Sequence, residues 1–90
     1  MDIGLGSIVL AKAGRDKGDF FVVVASEGEF AYICDGKTRK YDKPKKKKLK
    51  HLAVTHTVSA LICEKLGAGD KVTNNEIRRA IGEFRENHEQ

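Results

Sequence analysis

Two cysteines, one proline and the want of any long apolar run narrow the possibilities for this 90-residue chain. Cys34 and Cys63 stand singly and far apart, so they suggest neither a disulfide framework nor a zinc pair. They read as small buried hydrophobes in a reducing, intracellular setting, and the expected location is cytoplasmic. A bridge between them is possible on arithmetic alone. The longest unbroken apolar run, Phe20 to Ala25, is six residues, against about 20 for a membrane span. The opening Met-Asp-Ile-Gly lacks a basic start, so no secretory signal is expected. His51, His56 and His88 are too scattered for a metal set, and no two carboxylates suggest an acid–base pair. No nucleophile, base and oxyanion donors fall into a constellation. The expectation is therefore no enzyme, no cofactor and no metal. A chain this short allows one domain with a small core, burying about 60–65% of its unfolded surface.

What the chain does have is charge, unevenly placed. The formal net charge is +4, with a sequence pI near 9.2. Residues 1–36 are net −3 and residues 52–90 net −1. Residues 37–51 carry nine basic side chains (Lys37, Arg39, Lys40, Lys43, Lys45, Lys46, Lys47, Lys48 and Lys50) against the single acid Asp42. Cations this dense oppose folding unless something anionic is near. A solvated lysine loop that aids solubility is the plainer alternative. The density favours a polyanion, nucleic acid first.

Hydrophobic patterning gives short strands and then helices. Ser7–Lys12 is β-branched and apolar, a first strand. Phe20–Ala25 is the second, and its continuous hydrophobicity implies burial on both faces, or one face in a barrel and one under a helix. Phe30–Cys34 is the third. Asp35-Gly36 has the preferred chemistry of a two-residue hairpin, which makes Lys37–Tyr41 the return strand. Pro44 keeps the start of the basic run extended and exposed. Lys47–Val54 is a further possible strand. Gly4-Leu5-Gly6 reads as a flexible lead-in. Val58, Leu61, Ile62 and Leu66 share one face of a helix that Gly67 and Gly69 end. Thr73 and Glu76 have capping-box spacing, and Ile77, Ala80, Ile81 and Phe84 form the stripe of a second helix. That stripe is core, or else docks a partner. Arg78, Arg79 and Arg85 either face solvent or pair with Glu76, Glu83 and Glu86, with a second RNA contact as the alternative.

The Gly6–Val9 strand start, the loop Gly14-Arg15-Asp16-Lys17-Gly18 and the apolar strand Phe20–Val24 together resemble the KOW motif. That motif is a strand, a glycine-bearing basic loop and a second strand within an SH3-like barrel. Gly14 and Gly18 allow a sharp reversal and bring backbone N–H groups close to a phosphate. Arg15 and Lys17 add charge there, and Asp16 braces the loop or one of its cations. The order of this loop, Asp35-Gly36, and a Lys-Pro-Lys tract ending in Lys48-Leu49-Lys50-His51-Leu52 is similar to the archaeal and eukaryotic large-subunit ribosomal family "fourteen-e". The resemblance covers residues 3–54; residues 55–90 match only loosely.

The fold class implied is mainly β: a small SH3-like KOW barrel over 1–54, followed by one or two short helices over 55–90, packed on the barrel or docking a partner. The resemblance implies binding to structured RNA, ribosomal RNA first, with ribosomal proteins as further partners and a monomer when free. The RNA-binding set is Arg15, Lys17, Lys37, Arg39, Lys40, Lys43, Lys45, Lys46, Lys47, Lys48, Lys50 and His51. For His51 a partly exposed strand position is an equal alternative. Tyr41 either stacks on an unpaired base or covers the core at a barrel edge. His56 is expected on the surface at the first helix start. Two other readings stand beside RNA: an SH3-like protein-interaction module of the translation or transcription machinery, and a nonspecific DNA or polyanion binder or basic targeting signal. Salt separates them, because phosphate contacts weaken steeply as salt rises.

Overall fold

The computed structural model describes residues 3–88. Five strands precede two helices: β1 (Ser7–Ala11), β2 (Phe20–Glu27), β3 (Phe30–Cys34), β4 (Lys45–Lys48), β5 (Leu52–Val58), α1 (Ala60–Gly67) and α2 (Asn74–His88). The strands form one antiparallel sheet in the order β4-β3-β2-β1-β5. A turn of 3-10 helix, Leu49–His51, joins β4 to β5, which are the two edges of that order. A flat sheet would hold these edges about 19 Å apart, at about 4.8 Å per strand. Three 3-10 residues rise only about 6 Å. The sheet must therefore curl strongly. It is not closed: among the described residues no ladder joins β4 to β5.

The curl makes two cores. Phe21 and Val23 of β2 face inward with Val9, Ala11, Ala31, Ile33 and Leu52. Val22 and Val24, alternating with them, face outward beside Ile8 and Cys34 and meet Ile62, Val72, Ile77, Ile81 and Phe84. The central strand is thus buried on both faces, as its unbroken hydrophobicity predicts, with the helices over the outer one. The helices start where local chemistry sets them. Ser59 Oγ accepts from Ile62 N at 3.3 Å, capping α1. Thr73 and Glu76 make the predicted reciprocal box, with Glu76 N to Thr73 Oγ1 at 3.1 Å and Thr73 N to Glu76 Oε1 at 2.9 Å. Lys65 Nζ then reaches Glu76 Oε2 at 2.6 Å and ties α1 to α2. Glu76 therefore pairs with a lysine of α1 rather than with an arginine of its own helix. Phe84 meets Phe20 edge-to-face, with ring centroids 5.1 Å apart, an arrangement that adds about 0.5–1.5 kcal/mol to its burial.

Several expectations are corrected. The return strand is not Lys37–Tyr41 but Lys45–Lys48. The chain does reverse at Asp35-Gly36, with Gly36 at φ +79°. Asp35 Oδ1 accepts from Lys37 N and Arg39 N, which makes a side-chain-bridged turn instead of a two-residue hairpin. The segment is then captured by α2: Arg78 Nη1 donates to Gly36 O at 2.6 Å, and Tyr41 N donates to Asn74 Oδ1 at 2.7 Å. Arg39 O also accepts from Asp35 N and Gly36 N, so the segment closes as a tight loop against α2, and β3 pairs with β4 instead. Val58 belongs to β5 rather than to the helix stripe, and the expected strand Lys47–Val54 is split by the 3-10 turn Leu49–His51, which takes His51 out of any strand. His56 is exposed as expected, but in a bulge of β5 with φ +62° and not at a helix start. Thr55 Oγ1 there donates to Ile8 O at 2.7 Å, satisfying a carbonyl at the break in register. The glycine lead-in is tied down: Gly6 N donates to Val23 O and Gly6 O accepts from Ser59 N. Cys63 is exposed, while Cys34 is buried. Burial, aided by the Asp35 charge, pushes the Cys34 thiol up to about 12.

Candidate nucleic-acid interface

The β1–β2 connection is built around two glycines at positive φ, Gly14 at +81° and Gly18 at +92°. Gly18 N donates to Ala11 O at 2.9 Å, and Lys17 N to Gly14 O at 3.2 Å. This tight reversal sorts its three charged side chains. Arg15 and Lys17 are exposed, while Asp16 between them is buried. Asp16 turns to Arg39, whose Nη2 lies 3.2 and 3.4 Å from its two carboxylate oxygens.

β4 sorts its four lysines in the same way, because successive strand residues point to opposite faces. Lys47 lies opposite Ala31 on the inner side, is only 9% exposed, and donates from Nζ to Ala13 O at 2.8 Å. Gly14 leaves room for it: a Cβ there would sit 3.2 Å from that ammonium. Lys46 and Lys48 lie opposite Tyr32 and Phe30 on the outer side and are exposed. The Lys46 ammonium sits 4.5 Å from the Phe30 ring centre and 6.0 Å from that of Tyr32.

Two bonds thus pin the glycine loop to the basic segment: Arg39 to Asp16 and Lys47 to Ala13. Both cross more than twenty residues of sequence. They bring the loop that carries Arg15 and Lys17 against the basic segment at Arg39 and Lys47. Lys37, Lys40, Lys43, Lys46, Lys48 and Lys50 are exposed, and Lys45 and His51 are half-buried. The ion pairs between described residues are Arg39–Asp16 and Lys65–Glu76. Among the described residues Arg39 alone of the eleven predicted lysines and arginines pairs with a carboxylate, while Lys47 gives its ammonium to a backbone carbonyl. Arg39 and Lys47 spend their charge on holding the loop.

Lys12 is a further exposed cation beside this segment, outside the predicted set. Its backbone N donates to His51 O at 2.8 Å, which brings this exposed lysine to the end of the basic segment. Its place at the foot of the glycine loop was the available signal. Arg78 and Asn74, which hold the 36–41 segment, had no local signal at all. Tyr41 packs against the outer core, the core-covering alternative, although it is half-exposed.

Among the described residues no group of three His, Cys, Asp or Glu side chains is placed to hold a metal ion. No helix among them is long and apolar enough to cross a membrane. Comparison with protein-family models gives no match, and comparison with curated proteins gives none.

Proposed function

We propose that this protein binds structured RNA, ribosomal RNA first, by contacts to the phosphate backbone from an SH3-like, KOW-type scaffold. The observation that carries the reading is the pair of tertiary bonds, Arg39–Asp16 and Lys47–Ala13, that unites the glycine loop with the basic segment. A solvated lysine loop has no need of a buried carboxylate and a buried ammonium to hold it in place. The strongly curled sheet, with its edges linked by one 3-10 turn, supports the barrel-like scaffold. Lysine is a flexible point charge suited to phosphate and poor at bidentate base reading. The contacts accordingly position the protein on folded RNA by shape and backbone.

The test is a titration of ribosomal transcripts across salt concentrations by fluorescence anisotropy. About six phosphate contacts give log K against log salt a slope of roughly −5. Lys43→Glu, Lys48→Glu and Lys50→Glu combined change only exposed residues, so the fold is expected to survive while binding is lost. Full binding by that variant, or no binding by the wild type in dilute buffer, refutes the reading. Duplex DNA bound as well as duplex RNA points to a general polyanion binder.

A protein-docking role has one observation in its favour. Val58 and Leu61 are 54% and 48% exposed where β5 meets α1. The Ile77, Ile81 and Phe84 stripe is buried in the outer core and does not serve such a surface. Partner capture that persists in high salt and is lost in Leu61→Ser favours docking.

A further inference from the structure

Phe30 is a large apolar side chain that belongs to neither core. It sits half-exposed on the outer face of β3, two residues from Tyr32, which touches the outer core. Residues two apart on a strand share a face at about 6.5–7 Å, close to two base steps of about 3.4 Å. Exposed Lys46 and Lys48 flank the rings from β4. Lys48 also borders an open groove lined by Gly28, Glu29, Leu49 and Lys50.

Resting on the RNA-binding reading, we infer that Phe30, with Tyr32 beside it, is a stacking platform for unpaired bases, and that the protein's ligand is RNA carrying a single-stranded segment. Aromatic rings set in a cationic surface are the general means of holding single strands, because every base has a π face. In the free protein the Lys46 ammonium occupies the Phe30 ring. At an exposed site that contact is worth only about two- to fivefold in an equilibrium, whereas stacking one base is worth about fivefold to a hundredfold. A base therefore displaces the ammonium, and the freed lysine takes the adjoining phosphate. Glu27 lies opposite Phe30 across the β2–β3 ladder and repels phosphate. The lysines of β4 favour phosphate on the other side of the ring.

The test compares a short single-stranded RNA without self-complementarity with a duplex of the same length. Phe30→Leu keeps apolar bulk and removes the π face; it is expected to weaken single-strand binding about tenfold while changing duplex binding less than about twofold. Phe30→Tyr restores the wild-type value. The chain has no tryptophan, so Phe30→Trp supplies a single tryptophan that can be excited apart from the tyrosines, and its emission is expected to be quenched by the single strand and not by the duplex. Phe30→Leu binding the single strand as the wild type does, losing both ligands alike, or an unquenched Phe30→Trp overturns the platform while leaving backbone binding intact. Wild-type protein that binds neither RNA at low salt overturns the underlying reading as well.

Discussion

Lys47 and Lys48 are neighbours of one residue type on opposite faces of β4, and replacing each with methionine tests whether one braces the fold while the other serves the proposed RNA contact. Methionine keeps most of the lysine stem and deletes the ammonium. At position 47 the deletion removes the 2.8 Å bond to Ala13 O and leaves that carbonyl short of a partner beside the glycine loop. A hydrogen bond from a charged donor is worth about 1.5–3 kcal/mol. Relief from desolvating the ammonium offsets part of this, so a net loss of about 1–2 kcal/mol is expected. For a domain of this size that lowers Tm by about 4–16 °C. It lowers the urea midpoint by about 1–2 M if m is about 1 kcal/mol/M. Lys48→Met alters an exposed side chain and should shift stability by less than about 0.5 kcal/mol. Its effect should fall on RNA binding, where one lost phosphate contact reduces the salt slope by about 0.9. Urea denaturation followed by circular dichroism, with anisotropy titrations on the same samples, reads both quantities. A Lys47→Met protein as stable as the wild type, or a Lys48→Met protein equally destabilised, would refute the division of labour.

Gly36→Ala should cost about 2–4 kcal/mol, because the residue holds φ +79° and a Cβ there would sit 2.5 Å from Asn74 O; a thermal melt indistinguishable from wild type would contradict the close approach of α2. The hydrogen bond from Lys65, followed by that from Thr73 N, holds the Glu76 carboxyl below its usual range. A depressed folded pKa contributes stability that is present above the unfolded pKa and lost as pH falls through the folded one. The stability gap between wild type and Glu76→Gln should thus be constant above about pH 5.5 and shrink on acidification below about pH 4; a gap that persists undiminished in acid counts against the Lys65 link. With its thiol pushed up to about 12 and buried, Cys34 should resist a thiol-specific chromogenic reagent until the protein unfolds, while exposed Cys63 reacts at once. Two fast thiols in the native protein would be inconsistent with this placement.

β1, β2 and β3 were legible because they bury alternating or continuous apolar residues, and α2 was legible from its box and stripe. β4 was not. Its inward positions are taken by Lys45 and Lys47, so a strand of four lysines shows no hydrophobic period to read. Its pairing is dictated by β3 across the sheet. The hairpin signal at Asp35-Gly36 was real as a reversal, but hydrogen bonds from Arg78 and Tyr41 decide the path of the chain beyond it, and their partners lie about forty and thirty residues away. Val58 fell into the helical stripe by coincidence of spacing, and Ser59, an ordinary N-cap residue, was the better boundary marker. The charge of the candidate site could be counted from the sequence. Which cations are spent on bracing could not, since nothing local distinguishes Lys47 from Lys46 or Lys48.

The double burial of β2 bears on how this molecule comes apart. A wall shared by two compartments cannot be stripped on one side without flooding the other. Removal of the two helices would wet Ile8, Val22 and Val24. Limited proteolysis should accordingly yield intact protein or small peptides, with no long-lived sheet fragment between them.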